Sequence, residues 1–460
     1  MFLENPRKAA LLTLGCKVNQ YETDAMQELL EKAGYEIVDF RDRADVYIIN
    51  TCSVTNMADR KSRQMIHRAR NNNPRAVVVA AGCYVQSAGE KIIRQGMADI
   101  LLGNNKKKEI VSILEDFFAE NRADSGPAEG SGESRIISRV PDMSRRMQFE
   151  DLTIHRTDGH TRAYVKIQDG CNQFCSYCII PYARGRIRSK KPEKVVEEIA
   201  SLAVSGYKEV VLTGIHLSSY GKDLGDTDLT DIIRRVDRIP GIERIRLGSL
   251  EPRVITEEFV RKLLECRKLC PHFHLSLQSG CDETLARMNR HYTTADYEAA
   301  VNILRKYYEE PALTTDVIAG FVGETEEEFG RTEEFLKKIR LYEMHIFKYS
   351  LRQGTRAAGM SGHLPDTIKN QRSASLLKLA AQLKREYEEK CIGTLQKVLL
   401  EDETVIDGVR YMQGYTERYV RIAVKINEKD TILTQNDIVV VKVEGFLDKN
   451  LLFGEVSIEF

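Results

Sequence analysis

Short apolar runs at residues 9–14, 46–50, 76–81 and 100–102 alternate with stretches of helical period at 22–32, 57–70 and 86–95. Runs of this length predict strands, and the amphipathic stretches between them predict crossover helices. Residues 1–120 therefore read as an open parallel α/β sheet. Residues 121–152 break the pattern: they open on Asn-Arg-Ala-Asp-Ser-Gly-Pro and read as a mobile linker. From 153 to 393 strand-like runs recur at 163–167, 209–213, 244–247, 272–277, 313–318 and 345–349, with helical stretches such as 192–205 and 325–339 between them. Six such units predict a partial (β/α)6 barrel with its function at the C-terminal strand ends. A long amphipathic helix, 367–390, leaves this barrel. The last segment, 394–460, has short β-branched runs at 396–400, 419–425, 438–444 and 451–457, which predict a small antiparallel β-barrel.

Composition narrows the setting. The chain of 460 residues is 42% hydrophobic and carries 68 basic against 68 acidic side chains. Several packed domains are affordable, and an anionic partner would have to be met by a local basic patch. No secretory leader and no membrane-length apolar run are visible, so a cytoplasmic protein is expected. Ten cysteines in a reducing compartment point to metal or redox chemistry before disulfides.

Three of them stand in Gly170-Cys171-Asn172-Gln173-Phe174-Cys175-Ser176-Tyr177-Cys178, just after the first barrel strand. Structural zinc sites take four ligands in paired spacing, and no fourth ligand stands at a suitable distance. Cys171, Cys175 and Cys178 instead suit an iron–sulfur cubane with one open iron. Such an iron can chelate the amino and carboxylate groups of S-adenosylmethionine (SAM) and deliver an electron to its sulfonium. Three unrelated buried thiols would be the bland alternative, and this spacing disfavours it.

The stretch resembles the cluster loop of the radical SAM superfamily. That resemblance implies that Tyr177 packs on the SAM adenine and that Thr213 and Gly214 hold its amino group. It implies ribose and amino-acid contacts from Ser249 and Glu251, and it places Gln278 at the barrel mouth. The strand end opening at Asp316, Asp316-Val317-Ile318-Ala319-Gly320-Phe321-Val322-Gly323-Glu324, completes the implied cofactor site. Val322 stands where the family has proline.

Cys16, Cys52 and Cys83 are far apart, yet each directly follows an apolar strand, and Gly15 and Gly82 precede two of them. In a parallel sheet the carboxyl ends of the strands share one edge, so the three thiols should converge into a second three-cysteine site. With Leu14-Gly15-Cys16-Lys17-Val18-Asn19-Gln20 and Phe347-Lys348-Tyr349-Ser350-Leu351-Arg352-Gln353-Gly354-Thr355, the chain resembles the methylthiotransferase family over nearly its whole length. Lys17-Val18-Asn19-Gln20 is most similar to the branch acting on N6-threonylcarbamoyladenosine in tRNA.

The resemblance implies two [4Fe–4S] clusters, SAM and a C-terminal TRAM barrel, with the chemistry carried by the clusters and SAM. The central cluster would generate a 5′-deoxyadenosyl radical, and the N-terminal one would hold the sulfur to be inserted. The implied partner is the anticodon loop of tRNA, whose unstacked bases suit protein recognition. Sulfur and electron donors are not identified by the sequence.

The basic run Arg184, Arg186, Arg188, Lys190 follows the cluster loop and is expected near RNA phosphates. TRAM barrels bind RNA, but this one has more acidic than basic residues, so a binding face would need Arg410, Arg418, Arg421 and Lys425 together. Cys266 and Cys270, four apart on an expected helix 261–270, read as packing, and Cys281 and Cys391 are assigned nothing. His216, His272, His274, His291 and His345 show no metal-ligand spacing. Two other functions stay open: a methylthiotransferase for isopentenyladenosine or a ribosomal-protein aspartate, and a non-catalytic iron–sulfur module.

Overall fold

The computed structural model describes residues 6–123, 136–157, 159–426, 433–449 and 451–457. Its first unit is a six-stranded parallel sheet of order β2-β1-β3-β4-β5-β6, built from β1 (Lys8–Thr13), β2 (Glu36–Ile37), β3 (Val46–Thr51), β4 (Val77–Gly82), β5 (Ile100–Leu102) and β6 (Ile137–Arg139). Every residue of β3 and β4 is buried. Tyr47, Ile49, Val78 and Ala80 pack on one face of the sheet, and Val46, Ile48, Val77 and Val79 on the other. Covering both faces is what makes these strands continuous apolar runs rather than alternating ones.

The expected linker is corrected here. Residues 124–135 lie outside the described residues, but Ile137–Arg139 adds a sixth strand in parallel to β5. Leu152 and Ile154 are buried in the core of the next unit. Short polar-flanked segments of this kind gain their order from the sheet edge they meet, which local composition does not record.

The central unit holds β7 (Arg162–Lys166), a short ribbon of β8 (Gln168–Asp169) and β9 (Arg188–Ser189), then β10 (Glu209–Thr213), β11 (Arg244–Leu247), β12 (His272–His274), β13 (Ala312–Ala319) and β14 (Glu343–Lys348). β7-β10-β11 and β12-β13-β14 form two parallel sheets, joined by the parallel bridges Ile245–Leu269 and Leu250–Leu275. Among the described residues nothing pairs β14 with β7, so the barrel is partial and has an open seam. Ala163, Val165, Leu313, Val317, Ala319 and Met344 pack outward under the helices. The alternate positions, Tyr164, Asp316, Ile318, His345 and Phe347, face the lumen.

The N-terminal unit spans that seam. Helix Lys17–Lys32 meets β7 through an ion pair of Glu22 with Lys166 at 2.9 Å. On the other side, Asn56 N–H donates to Ser350 Oγ at 3.0 Å, and Arg352 pairs with Asp59 at 2.8 Å.

The last unit is a closed barrel of order β15-β16-β17-β19-β18, from β15 (Leu395–Ile406), β16 (Val409–Thr416), β17 (Arg421–Lys425), β18 (Ile438–Asp448) and β19 (Leu451–Val456). β17 and β19 pair in parallel, so the barrel is mixed rather than wholly antiparallel. It docks on the floor of the central unit. Arg244 donates to Tyr415 and Lys397 carbonyls, Arg246 to those of Thr416 and Glu417, and Arg162 pairs with Glu401 at 2.7 Å. The cationic face considered for RNA is largely spent internally. Arg418 donates to the Glu309 and Glu310 carbonyls, Arg410 pairs with Glu403, and Arg421 bonds Gln413.

Candidate functional site

Gly170 has φ +72, and a Cβ there would fall 1.9 Å from the Arg186 carbonyl. Only glycine lets the loop after β8 turn this closely. The turn carries Cys171, whose N–H donates to Gly185 O at 3.0 Å, while Cys178 N–H closes a turn on Cys175 O at 2.9 Å. Burial pushes the Cys171 thiol up to about 11 and that of Cys178 up to about 12. Arg290 donates to Cys175 Sγ at 3.1 Å. Neutral buried thiols beside a guanidinium are poised to be held as thiolates once a metal takes the proton's place.

Of the residues grouped with SAM by resemblance, Glu251 meets this loop directly, through Gln173. Gly214 admits no side chain, since a Cβ would meet Gln168 at 2.8 Å. Glu251 accepts hydrogen bonds from Gln173 at 3.1 Å and faces His216 Nε2 at 3.2 Å. Burial works against its charge, yet His216 outweighs that and holds its carboxyl below the ordinary range. Thr213 is buried, Ser249 is exposed, and Tyr177 packs edge-on against Phe321 at 6.2 Å. Gln278, beyond the end of β12, takes a left-handed φ of +71 and bridges Val317 of β13. Asp316 lies deeper on the inner wall, against His274.

Cys16, Cys52 and Cys83 end or follow β1, β3 and β4, three adjacent strands, and their thiols converge at one sheet edge. A Cβ on Gly15, at φ +103, would sit 2.8 Å from Cys52 Sγ. Asn104 points its amide at Cys83 Sγ, 3.6 Å away. Burial and then the neighbouring Cys83 push the Cys52 thiol up to about 12. Cys16 is open to solvent in the interior, yet burial still raises its thiol and Arg184 lowers it. Neither cysteine set has all its sulfurs within 4.8 Å of one another. A single zinc ion would draw its thiolates to about 3.8 Å, closer than either set stands as a whole.

The two sets are neighbours. The Asn104 amide that faces Cys83 also donates to Ala183 O at 2.8 Å. Ala183 belongs to helix Ile180–Arg184, which follows Cys178 and packs on helix Cys83–Arg94.

The expected phosphate contacts need correction. Arg184, Arg188 and Lys190 are buried, and only Arg186 is exposed, its guanidinium over the Phe174 ring at 4.5 Å. Arg184 instead bonds Glu22 at 2.8 Å and Asn19, and Glu22 also meets Lys107 at 2.8 Å and Lys166. Arg188 meets Asp169, and Lys190 meets Glu198 at 2.7 Å. A charge run reads as surface until partners distant in sequence desolvate it; here Glu22 lies on another unit. The helix expected over 261–270 instead spans Glu257–Leu264, so Cys266 and Cys270 lie beyond it, both buried.

Sequence reasoning passed over Arg290 and Asn104, which no spacing could flag. It also set aside His274 and His345, which the barrel brings together with Asp316. Their donor atoms lie within 4.8 Å of one another, the only such trio of potential metal ligands among the described residues.

Two family patterns match the chain: the Uncharacterized protein family UPF0004 over residues 8–103 and the Radical SAM superfamily over residues 165–336. A threonylcarbamoyladenosine tRNA methylthiotransferase of Bacillus subtilis is 39% identical across 91% of this chain and 90% of its own length. One from Aquifex aeolicus is 40% identical over 91% of this chain and all 100% of the relative. A tRNA-2-methylthio-N(6)-dimethylallyladenosine synthase of Pelotomaculum thermopropionicum is 33% identical over 86% of this chain and 87% of its own. A radical S-adenosylmethionine methyltransferase from Kitasatospora setae shares the fold, with TM-score 0.55 and 18% identity over 85% of this chain and 81% of that one.

Proposed function

The chain belongs to the radical SAM methylthiotransferase family, and on that premise we propose that it methylthiolates N6-threonylcarbamoyladenosine in the anticodon loop of tRNA. Relatives bearing that activity by name match at 37% to 40% identity, against 32% to 36% for dimethylallyladenosine synthases. The product would carry the methylthio group at the adenine carbon between the two ring nitrogens. The observation that supports the reaction class is the nearness of two three-thiol sets, with Asn104 linking Cys83 to Ala183 in the helix that follows Cys178.

Cys171, Cys175 and Cys178 would hold a [4Fe–4S] cluster, and Tyr177, Thr213, Gly214, Ser249, Glu251 and Gln278 would line the SAM site, with Asp316 set deeper against His274. Bound together, cluster and SAM supply a carbon-centred radical able to activate an adenine C–H bond. Cys16, Cys52 and Cys83 would hold a second cluster, the source of the inserted sulfur. The chain's own work is positional. Arg290 fixes the Cys175 sulfur, Gly214 lets the β10 end approach closely, and the N-terminal unit closes the barrel seam against water, which limits side reactions. Arg186, exposed beside the cluster loop, would meet a phosphate, an interaction that weakens as salt rises. No helix among the described residues is long and apolar enough to cross a membrane.

The test offers the reconstituted enzyme tRNA with and without the threonylcarbamoyl group, and isopentenylated tRNA, with nucleoside mass analysis of the products. Product from the first alone is expected. Comparable turnover of isopentenylated tRNA would reject the base but keep the reaction class.

A further inference from the structure

One cation inside the barrel has no counter-ion. Lys17 follows Cys16 on the unit that closes the seam, and its ammonium lies 5.8 Å from the ring centroid of Tyr164 on the lumen face of β7. Among the described residues no carboxylate stands within 4.0 Å of it. Its charged neighbours are Arg162 and Arg246, together with Glu209, which Arg246 already holds at 2.8 Å. Lys17 is open to the interior, and a cation standing among like charges draws an anion there.

Further along the same wall stand His274, Asp316 and His345, one on each of β12, β13 and β14. His274 Nδ1 is engaged with Thr314 Oγ1 at 3.0 Å. Its Nε2 is buried, lies 3.4 Å from Asp316 Oδ2 and makes no hydrogen bond. The His345 ring stacks on that of His274 at 5.9 Å and is open to the interior. Tyr164 on β7 and His274, Asp316 and His345 on β12, β13 and β14 all face the barrel interior, so the lysine and the trio share one lumen.

This wall offers a fixed positive charge, imidazole nitrogens and one strong acceptor. An unsubstituted adenine carries no negative charge and gives Lys17 nothing to pair with. A carboxylate flanked by N–H and O–H groups matches all of it: ammonium and imidazole to carboxylate, Asp316 to a donor. The geometry points to Lys17 with His274, Asp316 and His345 as the subsite that reads a carboxylate-bearing, amino-acid-like substituent on the target base. The inference rests on the threonylcarbamoyl reading and adds the residues that select for it. A neutral alkyl substituent would cover Lys17 and offer it no anion, which is how polar sites reject apolar analogues.

The experiment compares tRNA carrying the threonylcarbamoyl group with the same tRNA after methyl esterification of its carboxylate. For the wild type, KM should be about tenfold or more lower for the free acid. Lys17→Met should bring the ratio near one, and Lys17→Arg should restore much of it. His345→Ala, away from every cysteine, should raise KM for the acid while SAM cleavage without tRNA persists. Iron content at wild-type level in each variant excludes damage to the Cys16 site. Equal KM for acid and ester in the wild type, or an unchanged ratio in Lys17→Met, would overturn the subsite while leaving the substrate standing. A wild type inactive on threonylcarbamoylated tRNA would overturn the substrate reading itself, and this subsite with it.

Discussion

The central and N-terminal cysteine sets reach one arrangement by opposite routes. Cys171, Cys175 and Cys178 lie on a single loop, shaped by the tight turn at Gly170 and tied down by Arg290. Cys16, Cys52 and Cys83 come from three strands and are brought together by the sheet, with Arg184 of the central unit reaching Asn19 beside them. The first site is local and should survive disturbance elsewhere. The second depends on how its unit docks, and the docking passes through buried charge: Glu22 faces Lys107, Lys166 and Arg184, all essentially inaccessible.

Breaking that docking should give the largest effect. Glu22→Ala leaves three buried cations short of their shared partner, a change worth about 3–5 kcal/mol. Thermal unfolding should show the loss, and the N-terminal site should release iron to a chelator well before the central one. Equal lability of the two sites would remove the distinction.

A smaller effect sharpens it from the other side. Arg290→Gln removes a charge-assisted bond to Cys175, worth about 1.5–3 kcal/mol. Iron should then leave the central site faster, with the N-terminal site unchanged. The check is chelator-release kinetics in variants lacking one or the other cysteine set.

The smallest effect lies in pH. Burial alone would raise Glu22, but Arg184, Lys107 and Lys166 outweigh it and hold its carboxyl well below the ordinary range. Its folded value is depressed, so its contribution is fully present above the unfolded value of about 4.3 and is lost as pH falls below that. Thermal stability should be insensitive to this group from pH 8 to 5 and fall more steeply below pH 4 in the wild type than in Glu22→Gln.

Much of this was legible in the sequence, and unevenly so. The strand–cysteine junctions at Cys16, Cys52 and Cys83 could be read because a parallel sheet has a fixed functional edge. The order of strands in the partial barrel followed from the spacing of apolar runs. Pairing partners were not legible: Ile137–Arg139 is too short and polar to announce a strand, and the parallel pairing of β17 with β19 is a property of barrel closure. Burial of charge was misread for the same reason. Arg184, Arg188 and Lys190 look like a surface run until Glu22, Asp169 and Glu198 are placed around them. Lys17 and the His274, Asp316, His345 group became visible only when strands far apart in sequence lined one wall.

Iron analysis of two triple variants, paired with SAM cleavage, tests the central claim most directly. Wild-type protein prepared without oxygen should carry about eight irons per chain, and each triple Cys→Ala variant about four. Loss of Cys171, Cys175 and Cys178 should abolish SAM cleavage, whereas loss of Cys16, Cys52 and Cys83 should leave it measurable. Full iron in either variant, or SAM cleavage surviving without the central three, would contradict the account.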